Sequence, residues 1–110
     1  MPATYVLKKT SDGQFMFNLK AGNGEVILTS ERYTTKQSAE NGIESVRTNS
    51  PLDERYDRLE SKASEPYFVL KAANHEVIGK SEMYSSARAR GKGIEAVKAN
   101  GAGAEVREEG

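Results

Sequence analysis

The stretch FNLKAGNGEVILTSERY at residues 17–33 returns as FVLKAANHEVIGKSEMY at residues 68–84. The match continues without a gap to residues 49 and 100, where GIESVRTN is repeated as GIEAVKAN. Over these 33 aligned positions, 16 residues are identical at a constant offset of 51. A unit that recurs at a fixed spacing predicts two copies of one supersecondary structure.

The length of the chain favours one core shared by both copies. At 110 residues it has the size of one ordinary domain, and a unit of about 50 residues buries too little surface to be stable alone. We therefore predict a single pseudo-twofold domain over residues 1–110, which makes the chain a monomer that resembles a fused dimer. Copy one covers about 3–51, copy two about 54–102, and a closing strand about 104–109.

Composition excludes several classes of protein. Sixteen basic residues balance sixteen acidic ones, so no net charge attracts nucleic acid or anionic lipid. Because cysteine is absent, disulfides, thiolate metal sites and cysteine nucleophiles are excluded. No apolar run has the length of a signal peptide or a membrane span. These features predict a cytoplasmic protein.

Each copy begins with strand and hairpin signals. Residues 14–20 place Phe15, Phe17 and Leu19 on one face and Met16, Asn18 and Lys20 on the other, which is the period of a half-buried strand. Asn23-Gly24 is a strong hairpin signal. With residues 21–24 as the loop, Lys20 is expected opposite Glu25 and Leu19 opposite Val26. In copy two, His75 replaces Gly24 at a position that favours glycine or asparagine.

A helix follows each hairpin. Thr34 is predicted to cap the first helix and Ser85 the second. Glycine stands inside each helix, where it costs about 1 kcal/mol relative to alanine, so we expect the helix backbone to lie close to the sheet there. Asn49 and Asn100 suit a left-handed residue after the helix end.

These elements predict an α+β fold made of tandem β-β-β-α repeats and a closing strand. The offset of 51 makes residues 5–9 and 55–60 the same strand in successive copies, with a third, weaker match in AEVREE at residues 104–109. We expect a single antiparallel sheet with two helices on one face. The final strand completes the first copy's sheet, and the strand after the first helix completes the second's, so the copies exchange strands.

The motifs LKAGNGEVI–SERY–GIESV and LKAANHEVI–SEMY–GIEAV resemble the YegP-like family of small bacterial proteins. The resemblance covers nearly the whole chain. It implies one antiparallel sheet with exchanged C-terminal strands, and dimers where a member has a single copy. It implies no activity, so it transfers no functional residues.

Two surfaces are candidates for binding. By the expected register, the sheet face away from the helices carries apolar side chains that could form a docking surface; the candidates are Met16, Asn18, Lys20, Ile27, Tyr67, Val69, Lys71 and Ile78. The second helix is more basic than the first and is a candidate for contact with nucleic acid or phosphate. Its cations are Arg88, Arg90, Lys92 and Lys98.

Catalytic chemistry finds no support in the sequence. His75 is the only histidine and has no partner at metal-ligand or triad spacing, so we interpret it as a turn residue. Ser30 and Ser81 lack a base and suit helix starts. The sequence predicts no cofactor and no metal. It favours a non-enzymatic module for a protein or peptide, with weak nucleic-acid binding as the alternative and an enzyme last.

Overall fold

The computed structural model describes residues 2–109, which form one mixed sheet and two helices. The strands are β1 Thr4–Lys9, β2 Phe15–Lys20, β3 Val26–Thr29, β4 Tyr56–Glu60, β5 Pro66–Lys71, β6 Val77–Lys80 and β7 Glu105–Glu109. The helices are α1 Lys36–Asn49 and α2 Ala87–Asn100, and a 3₁₀ turn, Asp53–Arg55, precedes β4.

The strands lie in the order β4-β5-β6-β3-β2-β1-β7. This confirms the α+β class and the exchange, because β7 completes the first copy's sheet and β4 pairs with β5. All pairings are antiparallel except that of β7, which runs parallel to β1. The two copies meet where β3 pairs with β6 through Thr29 and Lys80, which are equivalent residues.

One hydrophobic core lies between the sheet and both helices. Phe17 and Phe68 are fully buried, and burying a phenylalanine contributes roughly 1.5–3 kcal/mol. The alternating strand pattern supplies one side of this core and the helical spacing supplies the other. The remaining fully buried large members are Tyr5, Leu19, Leu28, Ile43, Val46, Leu70, Ile94 and Val97.

Paired tyrosines tie each helix end to a first strand. The Tyr56 hydroxyl donates to the Ser50 carbonyl at the end of α1 (2.7 Å). Its counterpart Tyr5 donates to the Gly101 carbonyl at the end of α2 (2.5 Å). Burial raises the pKa of both phenols well above the ordinary value. Because Tyr5 and Gly101 are 96 positions apart, this bond joins the two ends of the chain.

The hairpin register differs from the predicted one. The Ala21 amide donates to the Glu25 carbonyl (2.8 Å) and Gly24 has φ 87°, so the loop has three residues instead of four. A register shift then places Leu19 opposite Leu28 and Lys20 opposite Val26. The predicted Lys20–Glu25 pair is therefore wrong. In copy two, Lys71 lies opposite Val77, and its ammonium group binds Asp57.

Helix ends also differ by small shifts. The N-caps are Thr35 and Ser86, one residue later than predicted, and their hydroxyls accept from the amides of Ser38 and Ala89. The final asparagine of each helix stays helical instead of turning left-handed. Its side-chain amide donates to the carbonyl four residues earlier, at 2.8 Å in both copies.

Candidate interaction surfaces

The face of the sheet away from the helices is covered by no other element of residues 2–109. Strand register places one alternating set of side chains on it. This set is mixed: Val6 and Val69 lie on either side of a polar centre formed by Asn18, Thr29 and Lys80. Its members include Val6, Lys8, Met16, Asn18, Lys20, Val26, Thr29, Asp57, Leu59, Tyr67, Val69, Lys71, Lys80 and Arg107.

Only part of the predicted docking set is accessible. Met16, Lys20, Tyr67 and Lys71 are half-buried. Asn18 (6% exposed) is buried and its side-chain amide donates to the Thr29 hydroxyl (2.9 Å).

Three other members of the predicted docking set are buried, as Asn18 is. Val69 is 7% exposed, closely packed among its neighbours. The expectation of a surface position is wrong for Ile27 and Ile78, which belong to the buried core cluster at 5% and 7% exposure. The register shift beside them breaks the simple alternation of faces on which the expectation rested.

The accessible part of this face is weakly basic. Lys71 pairs with Asp57 across β4 and β5 (2.5 Å), and the Lys80 ammonium lies 5.1 Å from the centre of the Tyr67 ring. Lys8, Lys20 and Lys80 make no salt bridge with any carboxylate in the described part of the chain. Three ammonium groups without a carboxylate partner therefore lie on this face, with Lys80 on one of the two central strands.

The basic residues of α2 do not form one uniform patch. The Lys98 ammonium binds Asp53 at 2.6 Å and Glu95 at 3.4 Å, and its hydrogen bond to Asp53 raises the pKa of the lysine. Arg90 donates to the Leu59 carbonyl on β4 (2.9 Å). Arg88 and Lys92 are exposed. Lys98 is thus neutralised, while the other three lie in the N-terminal half of α2, where Arg90 contacts β4.

No catalytic arrangement is found among residues 2–109. No group of three His, Cys, Asp or Glu residues there could hold a metal ion. A surface hollow of about 440 Å³ beside Glu25 contains Ser81, but that hydroxyl accepts from the Phe68 amide (2.9 Å) and donates to the Glu82 carbonyl (2.8 Å). His75 occupies its hairpin turn with φ 71°. These groups serve local structure.

One surface was missed by the sequence interpretation. The outer edge of β4 pairs with no strand of residues 2–109, whereas β1 carries β7. A signal was available, because two three-stranded copies and one closing strand give an odd number of strands. An odd number cannot be divided equally about a twofold axis.

Fold and surfaces define a tandem-repeat α+β protein built around one sheet. The chain belongs to the family described as a domain of unknown function, DUF1508, whose model matches twice, at residues 10–57 and 61–108. Each match ends in the strand that follows a helix, so β4 and β7 occupy equivalent places in the two units. The tandem organisation inferred from the repeat is thereby confirmed.

Several proteins named UPF0339 are similar to this chain in sequence or in structure. A UPF0339 protein of Acinetobacter baylyi is 57% identical over 98% of this chain and 97% of its own length. UPF0339 protein YegP of Escherichia coli is 56% identical, with 98% of each chain covered. The solution structure of a UPF0339 protein from Shewanella oneidensis has a TM-score of 0.92 at 56% identity, covering 98% of this chain and 92% of that one. The solution structure of E. coli YegP has a TM-score of 0.93 at 55% sequence identity, and the match covers 99% of this chain and 94% of that one.

Neither helix of the described chain is both long and apolar enough to cross a bilayer.

Proposed function

We propose that this protein is a non-enzymatic interaction module that binds a partner protein through the helix-free sheet face. The observation that carries the proposal is that no helix of residues 2–109 covers this face, although Met16 and Tyr67 on it are half-buried and Leu59 is 36% exposed. A sheet face that shows aromatic and aliphatic groups among basic side chains suits contact with another protein.

Charge defines the partner. The ammonium groups of Lys8, Lys20 and Lys80 have no carboxylate partner within the described residues. A matching segment therefore carries acidic side chains interspersed with apolar ones, because complementary potentials favour correct association. Tyr67 is the natural anchor, since aromatic residues contribute disproportionately to interface energy.

Site-specific photo-crosslinking tests the proposal. A crosslinking amino acid at Tyr67 should give protein adducts in cells, whereas one at Glu44, exposed on α1, should not. Equal adducts from both positions would reject the face. Adducts that disappear on nuclease treatment would instead support the alternative proposal of nucleic-acid binding.

The captured protein must then bind the purified chain directly. Lys20→Glu and Lys80→Glu should each weaken binding by about tenfold, which corresponds to about 1.4 kcal/mol. Lys62→Glu provides a charge-matched control, because Lys62 is exposed in the turn between β4 and β5. Equal losses in all three variants would indicate a general charge effect and contradict the proposal.

A further inference from the structure

The two halves of the molecule obey a twofold relation in their interior. The Phe17 amide donates to the Ser30 hydroxyl at 2.9 Å, and the equivalent Phe68 and Ser81 repeat the bond at the same distance. The tyrosine bonds to Ser50 and Gly101 repeat likewise. Because β3 and β6 lie side by side, the axis passes between these two strands.

The twofold relation does not hold at the two edges of the sheet. Three strands lie on one side of the axis (β6, β5, β4) and four on the other (β3, β2, β1, β7). The twofold image of β7 is a position beside the outer edge of β4. An edge strand presents free backbone donors and acceptors to any extended chain.

Hydrogen bonding fixes which β4 residues face outward. Ser61 donates to the Glu65 carbonyl at the hairpin end (2.9 Å), and inward and outward backbone groups alternate along an antiparallel pair. The outward groups therefore belong to Tyr56, Arg58 and Glu60. Their counterparts in copy one, Tyr5 and Leu7, lie in register with β7.

β7 shows how such a strand is held. It runs parallel to β1, with Tyr5 opposite Val106 and Leu7 opposite Glu108. Lys36 at the start of α1 binds Glu108 (2.6 Å). Val106 also borders a hollow with the exposed side of α1; the α1 residues there are Gln37, Glu40, Asn41, Ile43 and Glu44.

The equivalent surroundings of β4 carry more cations, although Lys9 becomes Glu60 and Lys36 becomes Ala87. At the offset of 51, Leu7 becomes Arg58, Gln37 becomes Arg88, Ala39 becomes Arg90 and Asn41 becomes Lys92. Arg90 reaches β4 directly through the Leu59 carbonyl. The acids of the same surface are Asp53, Glu60 and Glu95; Asp53 binds Arg58 at 3.0 Å and Glu95 lies 3.4 Å from Lys98. Four uncharged residues of copy one are thus four cations in copy two.

From this juxtaposition we propose that the outer edge of β4 binds an extended acidic segment of a partner protein by strand addition. The segment runs parallel to β4, as β7 runs parallel to β1. Main-chain bonds to β4 supply affinity, and Arg88 and Lys92 select acidic side chains. This edge is separate from the helix-free face, so either proposal can fail without the other.

The chain provides its own probe. A capped synthetic peptide with the sequence AEVREE of residues 104–109 is titrated into the isotopically labelled protein. Amide shifts should concentrate at Tyr56, Arg58 and Glu60. A spin label at the peptide's N-terminus should broaden Tyr56 more than Glu60, because the strands run parallel. Broadening in the reverse order would overturn the assigned direction and with it the proposal.

Matched variants test the charge requirement. Arg88→Glu and Lys92→Glu alter exposed side chains and should each weaken peptide binding by about tenfold, while the spectra verify folding. Arg32→Glu, near the β3–α1 connection and paired with Asp12, should leave it unchanged. A lysine-for-glutamate peptide should not bind.

Three results would overturn the proposal. The first is the absence of shifts in β4. The second is shifts confined to β1 and β7, which would mean that the peptide replaces the chain's own strand. The third is concentration-dependent dimerisation through β4, which would make a second copy of the chain the occupant.

Discussion

Gly91 and Gly93 stand two positions apart in α2 but have opposite surroundings. A Cβ atom at Gly91 would meet nothing within 4 Å. One at Gly93 would lie 2.7 Å from Cζ of Tyr84 and 3.2 Å from the Phe68 ring. Gly42 repeats the second situation against Tyr33 and Phe17. The close approach inferred from a glycine inside each helix is thus correct, and its cause is an aromatic ring.

These surroundings predict opposite effects of the same substitution. Gly91→Ala should raise the free energy of unfolding by about 1 kcal/mol, since it removes the helix penalty of glycine without contact. Gly93→Ala should lower it by about 1–3 kcal/mol, because the tyrosine must move in a packed core. Urea unfolding measures both, with Gly42→Ala as the copy-one control. Stabilisation by Gly93→Ala would contradict the packing described here.

Asp53 joins two elements that are distant in sequence. Its carboxylate binds Lys98 on α2 (2.6 Å) and Arg58 on β4 (3.0 Å). The hydrogen bonds from Lys98 and then Arg58 hold the pKa of Asp53 below its ordinary value. The 3₁₀ turn that carries Asp53 is therefore fastened to the second half of the molecule.

The ion pairs of Asp53 predict that the stability of the fold depends on pH, with a definite sign. Because the folded-state pKa of Asp53 is depressed, its stabilisation is present at neutral pH and is lost as pH falls through that pKa. Between pH 7 and pH 3, the free energy of unfolding should fall less in Asp53→Asn than in the parent chain. Urea titrations at each pH measure the difference. If the free energy of unfolding changed with pH equally in both proteins, the ion pairs of Asp53 would contribute nothing to stability, which is the case for many exposed pairs.

Helices and strands were predicted more reliably than the loops and strand registers that connect them. The alternation of β2 and the helical spacing of Ile43 and Val46 are local signals that survive in the folded chain. The three-residue loop, by contrast, depends on Gly24 adopting positive φ together with the register shift after it. The shift buries Ile27, so part of the candidate face was misassigned.

Strand direction and edge position were not available from local sequence. Nothing in AEVREE distinguishes a parallel from an antiparallel neighbour, because direction follows from where α2 ends. The cations of α2 were visible in the sequence, but their relation to β4 required the strand order. Arg90 shows this clearly, since its contact with Leu59 spans 31 positions.

The pseudo-twofold axis explains two of the positions at which the copies differ. Leu28 and Gly79 are equivalent, and a Cβ atom on Gly79 would lie 2.6 Å from the Leu28 side chain. Ser50 and Gly101 are also equivalent, and they too meet across the axis. At such points both copies share one space, so a large residue in one requires a small residue in the other.

Exchanging Leu28 and Gly79 tests this relation across the whole sheet. Leu28→Gly should cost about 2–5 kcal/mol through the cavity it leaves, and Gly79→Leu about 1–3 kcal/mol through overpacking. The double variant places the same side chain in the same shared space from the opposite strand. It should therefore be more stable than the sum of the single changes predicts, by at least about 1 kcal/mol. Chemical denaturation of all four proteins measures the coupling, and strictly additive losses would show that the side chains at positions 28 and 79 do not share one space.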